Sequence, residues 1–386
     1  MRILMIIDGL PGGGAEKTVL TLSSGLTELG HQVTLFSLRK VCDYAIPEGI
    51  DFQVVQDTCK KPWRKLTEIP RRARLLDRAI EQAERSGKFD VVFSHLHKTD
   101  RIVAHSRVLD RDKVWFCVHG MFSFSYLRHR SGLSRWFKHY KIRHTYENRN
   151  VVAVSGAVLH DLSEVLAIPL RRKAVIHNPF DIPEIQRLAE ASFEMQGQDY
   201  IIHVGRFHEH KRHDRLLRAF ALSKIDASLV LMGKGSDAKI NQLKQLAAKL
   251  GIENKIVFRP FETNPYPWIK GARLLVLSSD CEGFGNVLVE SIICQTPPVS
   301  TNCPGGPAEI LTGPLARGLT ALTDESLAKT LAELYASPPV VDRETIASFG
   351  INAICQQYIA LVDNQKKNQV SYAKFSAFIK RGGGRL

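Results

Sequence analysis

Apolar residues in the first half of the chain come in short unbroken runs separated by stretches long enough for a helix. The runs are RILMIID (2–8), QVTLFSL (32–38), DVVFSHL (90–96), KVWFCVH (113–119) and VVAVS (151–155). Strands that are apolar along their whole length are buried on both faces, as in a parallel sheet covered by helices. Between the first two runs, Val19, Leu20, Leu22 and Leu26 share one face of a helix expected over 15–29. The β-α-β rhythm breaks between 169 and 198, where Pro169, Pro179 and Pro183 interrupt the periodicity, and restarts with DYIIHVG (199–205), SLVLMG (228–233), KIVFRP (255–260) and ARLLVLSS (272–279). The pattern predicts an α/β protein of two domains of the same class, 1–175 and 176–363, whose last helix can pack back on the first.

Length and composition fit that organisation. At 386 residues the chain exceeds the size at which one core stops growing, and 44% apolar with 24% charged residues is ordinary for a folded protein. Seven scattered cysteines, an odd number without a CxxC pair, point to a reducing compartment, so a cytoplasmic location is expected. The opening residues lack a secretion signal, and no run of about 18 apolar residues predicts a spanning helix. The net charge of +14 is uneven: residues 1–180 hold 29 Lys and Arg against 18 Asp and Glu, residues 181–386 only 24 against 21. A basic first half attracts polyanions, whether nucleic acid, an anionic membrane or a phosphorylated acceptor. The tail 364–386 sets Lys366, Lys367, Lys374, Lys380, Arg381 and Arg385 among Val370, Tyr372, Phe375, Phe378 and Ile379, either a basic helix for a membrane surface or a frayed end.

Three segments carry chemistry. The loop DGLPGGGAE (8–16) puts glycines between a strand and a helix, where backbone amides can face a ligand. HVGRFHEHK (203–211) follows a strand in the second unit, and Arg206 and Lys211 could neutralise a diphosphate, one as a fork and one as a point charge. Its histidines at 203, 208, 210 and 213, with Glu209 and Asp214, fit no zinc spacing. LLVLSSDCEGFGNVLVES (274–291) leads from a strand through Glu282 and Gly283-Phe284-Gly285 into a helix expected over 286–296, starting at Asn286 and holding Glu290. Glycines again bring amides to a helix start, and the two glutamates can reach hydroxyls on opposite sides of an anion there.

The Glu-x7-Glu spacing from Glu282 to Glu290 resembles the signature of glycosyltransferase family 4, retaining enzymes of the GT-B fold with two Rossmann-like domains facing a cleft. The resemblance reaches about Asp363 and includes VIHNP (175–179) and TNCPGGPAEI (301–310), the latter resembling a loop of bacterial members that build surface polysaccharides and lipid-linked glycans; Asn302 stands where aspartate is frequent. It implies that Glu282 binds the donor sugar and Glu290 the ribose, that Gly283, Phe284, Gly285 and Asn286 give backbone contacts, and that Arg206 and Lys211 bind the diphosphate. Gly13 and Gly14 match the N-terminal glycine loop, and His119 the histidine near the anomeric carbon, where the alternative is a histidine closing a strand. It further implies a nucleotide-sugar co-substrate, a UDP-sugar, with no metal or other cofactor. The acceptor would be a glycan or glycolipid, reached at an anionic membrane surface through Arg71, Arg72, Arg74, Arg78 and the basic run 128–149.

Two other readings stay open. A nucleotide-sugar epimerase or hydrolase could share the cleft. A nucleic-acid binder is disfavoured, because the basic residues form no recognisable reading module and Glu282 and Glu290 would have no use on DNA.

Overall fold

The computed structural model describes residues 1–341 and 344–363; the basic tail lies outside the described residues. The first half forms a seven-stranded parallel sheet of β1 (Arg2–Ile7), β2 (Gln32–Ser37), β3 (Asp51–Val54), β4 (Val91–His95), β5 (Val114–Val118), β6 (Asn150–Ala153) and β7 (Arg172–Val175), in the order β3-β2-β1-β4-β5-β6-β7. The second half forms a six-stranded parallel sheet of β8 (Tyr200–Val204), β9 (Ser228–Met232), β10 (Ile256–Arg259), β11 (Leu274–Leu277), β12 (Pro298–Thr301) and β13 (Leu319–Thr320), in the order β10-β9-β8-β11-β12-β13. In each sheet the order reverses beside the first strand, and in such sheets a crevice opens at the carboxyl ends of the strands around that point.

The nine apolar runs all become strands. Four strands carried no such signal. β3 is a half-buried edge, β7 (RKAV) is a polar-led edge strand with no buried residue, β12 begins at a proline, and β13 has two residues. The first helix runs Gly14–Glu28, one residue earlier than expected. The helix expected over 286–296 stops at Ile293, because Pro297 and Pro298 cannot continue it and Gln295 turns out at φ 63°.

After β13 and the helix Asp324–Ala336 the chain returns to its first half. Phe180 and Gly350 form a parallel bridge, with the Phe180 amide donating to the Phe349 carbonyl at 2.8 Å and the Ile351 amide to the Phe180 carbonyl at 3.2 Å. The helix over 351–363 then buries Ile354, Cys355, Tyr358 and Val362 against Val19, Leu22 and Leu26 and the face of the first sheet that carries Met5 and Phe93. Tyr358 meets Phe93 edge to face, with ring centroids 5.0 Å apart.

Candidate functional site

The crevices of the two sheets face each other across a cleft of about 870 Å³. One wall comes from the first half: Gly14 to Glu16, Leu96, His97, His119, Gly120 and the segment from Phe122 to His129. The other comes from Arg206, the run from His208 to His210, Arg212 and Asp280.

The glycine loop after β1 brings the halves together. Gly13 caps the helix Gly14–Glu28 with extended backbone, and a Cβ on it would lie 2.5 Å from an Arg206 guanidinium nitrogen and 2.1 Å from a Glu16 carboxylate oxygen. A Cβ on Gly14 would lie 3.4 Å from the Asn286 side-chain amide. The starts of two helices, Gly14–Glu28 and Asn286–Ile293, therefore converge, with the exposed Arg206 beside them. Helix starts carry amides without intrahelical partners and a positive dipole end, so the junction can hold an anion.

The loop 205–212 is pinned from the exit of β11. The Ser278 hydroxyl donates to the Lys211 carbonyl at 2.8 Å and the Asp280 amide to the His210 carbonyl at 2.8 Å, while Arg212 adopts φ 49°. This aims Lys211 Nζ at Glu282 Oε1, 2.6 Å away, both side chains being largely buried, and the Ser279 hydroxyl donates to the same oxygen. Burial pushes the Glu282 carboxyl up, but the Lys211 ammonium and the Ser279 hydroxyl outweigh it and hold the group below the usual glutamate range.

Glu282 and Lys211 thus lie behind the main cleft lining, and so does Glu290. Its Oε1 is 3.4 Å from Lys17 Nζ and accepts from the Tyr266 hydroxyl at 3.4 Å. Both glutamates sit on cations rather than in an apolar interior. Gly283 approaches the other half at backbone level: a Cβ there would lie 2.0 Å from the His119 carbonyl oxygen, and the Ser155 hydroxyl donates to the Gly283 carbonyl at 2.8 Å. Gly285, at φ 99°, precedes the helix, and Asn286 accepts through Oδ1 from the Asn178 amide at 2.6 Å. The Phe284 ring is buried, stacked 4.9 Å from His177, so only its backbone could meet a ligand.

His119 lies just past the end of β5, its Nε2 3.0 Å from Nδ1 of His95 at the end of the neighbouring β4. Burial lowers the His119 imidazole to about 4 and pushes His95 well down. The histidines of 203–213 separate into two pairs. His203 and His213 pack together in the interior, rings 4.5 Å apart, while His208 and His210 face the cleft, rings 4.2 Å apart.

Sequence reasoning missed the residues that brace this arrangement, His95, Lys17, Tyr266, Asn178, Ser155 and Glu309. Glu309, in the segment TNCPGGPAEI, accepts at its carboxylate from the amides of Gly156 and Ala157, at 3.1 and 3.3 Å, and its Oε2 lies 3.1 Å from His177 Nε2. It ties the second half to a helix start in the first. Their partners lie far off in sequence, so spacing did not reveal the contacts; Asn178 and Glu309 stood inside the segments VIHNP and TNCPGGPAEI without a role of their own, and His95 at the tip of a strand parallel to that of His119.

Known proteins share the fold. Residues 12–183 match the family model described as Glycosyltransferase Family 4, and residues 184–353 the one described as Glycosyl transferases group 1. The chain is similar to the N-acetylgalactosamine-N,N'-diacetylbacillosaminyl-diphospho-undecaprenol 4-alpha-N-acetylgalactosaminyltransferase of Campylobacter jejuni, 26% identical over 311 residues that cover 80% of this chain and 83% of that protein. Among solved structures it resembles a glycosyltransferase from Rickettsia africae, with TM-score 0.72 at 19% identity over 95% of this chain and 99% of that one. It also resembles HepE of Anabaena in complex with UDP-glucose, with TM-score 0.67 at 19% identity over 96% and 100%. These likenesses show the fold, two parallel sheets facing a cleft, which is the GT-B arrangement.

Proposed function

The chain belongs to glycosyltransferase family 4, and on that premise we propose that it moves a hexose or N-acetylhexosamine from a UDP-sugar to a glycan or glycolipid acceptor, retaining the anomeric configuration, in the assembly of bacterial cell-surface or lipid-linked glycans. Convergence of the helix starts at Gly14 and Asn286 beside Arg206 carries the reading, since it is built for a pyrophosphate. The Campylobacter relative's lipid-linked substrate and the UDP-glucose held by the Anabaena neighbour support the acceptor and donor classes. Among the described residues no helix is long and apolar enough to cross a membrane. The seven free, scattered cysteines support a place for the enzyme in the cytoplasm, at the inner face of the cytoplasmic membrane.

Lys211 has three N–H donors; one meets Glu282 and the others are free for phosphate oxygens. The acceptor hydroxyl attacks the anomeric carbon from the face on which the bond to phosphate breaks, and the departing phosphate oxygen takes the hydroxyl proton. Arg206, Lys211 and the helix dipoles stabilise the charge that builds on the leaving diphosphate, which they favour more in the transition state than in the ground state. Glu282 orients the sugar, Glu290 exchanges Lys17 and Tyr266 for ribose hydroxyls, and His119 faces the sugar near the reacting carbon. No metal or enzymic nucleophile is assigned.

Incubation with UDP-, GDP- and ADP-sugars and a mixed glycolipid pool should release UDP, with the new glycosidic bond keeping the donor's configuration by NMR. Release of no nucleotide diphosphate from any donor, or an inverted product, would sink the reading; a free sugar or an epimerised donor in place of a glycoside would favour the hydrolase or epimerase.

A further inference from the structure

The helix Gly132–Tyr146 is folded against the first half by one side only. Ile142, Thr145 and Tyr146 are buried, the Arg135 guanidinium donates to the Leu127 carbonyl at 3.0 Å, and His139 Nε2 lies 3.1 Å from the Leu166 carbonyl oxygen. The opposite side carries Leu133, Trp136, Phe137 and Tyr140, which are 77%, 58%, 55% and 52% exposed. Steps of three and four residues place all four on one stripe. Trp136 meets Phe137 edge to face at 5.1 Å and stacks on Tyr140 at 5.8 Å, so the stripe is one continuous apolar surface.

Its surroundings are basic. Arg128, Arg130, Arg135, Lys138, Lys141 and Arg143 lie in or just before the helix, and from Lys113 to Tyr146 the chain has no Asp or Glu. Water disfavours a stripe of exposed aromatics, and its cations repel one another. A helix with large apolar residues on one face and Lys and Arg beside them is matched by an anionic bilayer, where the rings sit at headgroup depth and the cations meet phosphates. A protein partner would need a complementary acidic rim, whereas a bilayer supplies the charge everywhere.

We propose that the exposed face of this helix, Leu133, Trp136, Phe137 and Tyr140 flanked by Arg130 and Lys141, docks the protein on an anionic lipid bilayer. Docking stands on the helix alone; its use in transfer rests on the function proposed above. The helix leads straight to the cleft. Tyr146, its last residue, lines the cleft with Tyr126, Arg128 and His129, and Lys138 Nζ lies 5.6 Å from the Tyr126 ring centroid. Tyr140 is six residues from Tyr146, about 9 Å along the axis at 1.5 Å per residue. A bilayer against the stripe therefore lies close to the cleft wall that Tyr146 helps to form, where a lipid-anchored acceptor would enter.

The test uses the full chain with vesicles of phosphatidylcholine alone or mixed equally with phosphatidylglycerol, read by flotation. Wild-type protein should float with the anionic vesicles and stay behind with the neutral ones. The double variant Trp136→Ser/Phe137→Ser should bind roughly tenfold more weakly or worse, while Leu222→Ser, an exposed leucine of the other half, should bind like wild type. Should the double variant misfold, Trp136 itself is the reporter in a Trp63→Phe background, which removes the other exposed tryptophan: bromine-labelled lipid should quench a fraction of the fluorescence that Trp136→Phe removes, Trp115 and Trp268 being buried. Equal binding to both vesicles, an unaffected double variant, or quenching that persists in Trp136→Phe would each overturn the proposal. So would a wild-type dimer that the double variant converts to monomers with vesicle binding unchanged, which would make the stripe an interface between copies. Flotation needs no turnover, so a protein that docks yet releases no UDP sinks the function and not the surface.

Discussion

At the scale of single residues, the site balances its charges internally before any donor arrives: Glu282 rests on Lys211, and Glu290 on Lys17 and Tyr266. Arg206 is different, being exposed beside Gly13. Lys211→Ala should lower turnover roughly 10²-fold or more by removing a charge-stabilising donor. It should also cost about 3–5 kcal/mol of stability by stranding the buried Glu282 carboxylate, read by denaturant unfolding. Arg206→Ala should lower turnover comparably and leave stability within about 0.5 kcal/mol, as for exposed sites. Equal stability of the two variants would mean that the Lys211–Glu282 pair carries no weight in the fold.

At the scale of elements, close approaches decide which glycines can change. Gly283→Ala sets a methyl against the His119 backbone oxygen, which cannot swing aside, so the loop must move away from the first half. Gly13→Ala meets the ends of Glu16 and Arg206, which can turn away. Gly283→Ala should therefore lower the melting temperature and abolish turnover, whereas Gly13→Ala should mainly raise the donor KM; the reverse order would show that the halves do not meet at Gly283. Sequence legibility follows the same physics. Runs such as RILMII announce strands because both their faces are buried, whereas DFQV and RKAV are sheet edges whose exposed positions erase the signal. Glu282, Gly283 and Glu290 stood out because their spacing within one turn-and-helix is local. Glu309 stood in a recognisable segment, but its contact with Gly156, more than 150 residues away, left no pattern to read.

At the scale of the whole molecule, acid should act earlier than carboxylates alone predict. Burial holds His119 and His203 at about 4 and His97 at about 3, all from 6.5. A folded value below the unfolded one means that the stabilisation is complete above 6.5 and lost as pH falls toward 4 and then 3, because the unfolded chain takes up protons the folded one refuses. Melting temperature should fall across that window, with proton uptake on unfolding measurable by calorimetry in buffers of different ionisation heat; a flat profile down to the carboxylate range would refute it. The returning helix is a second lever. Tyr358→Ala should cost about 3 kcal/mol or more by opening a cavity under Phe93, which denaturant melts of the variant would show.

That return has a mechanical corollary. A body tethered by a single strand of chain can swivel about any axis, but these halves are tethered by two, at 180 and 350, laid side by side and bonded to each other. Twisting would shear those bonds, whereas folding about the line they define leaves them whole, so the halves should part and meet along one arc, like a book on its spine.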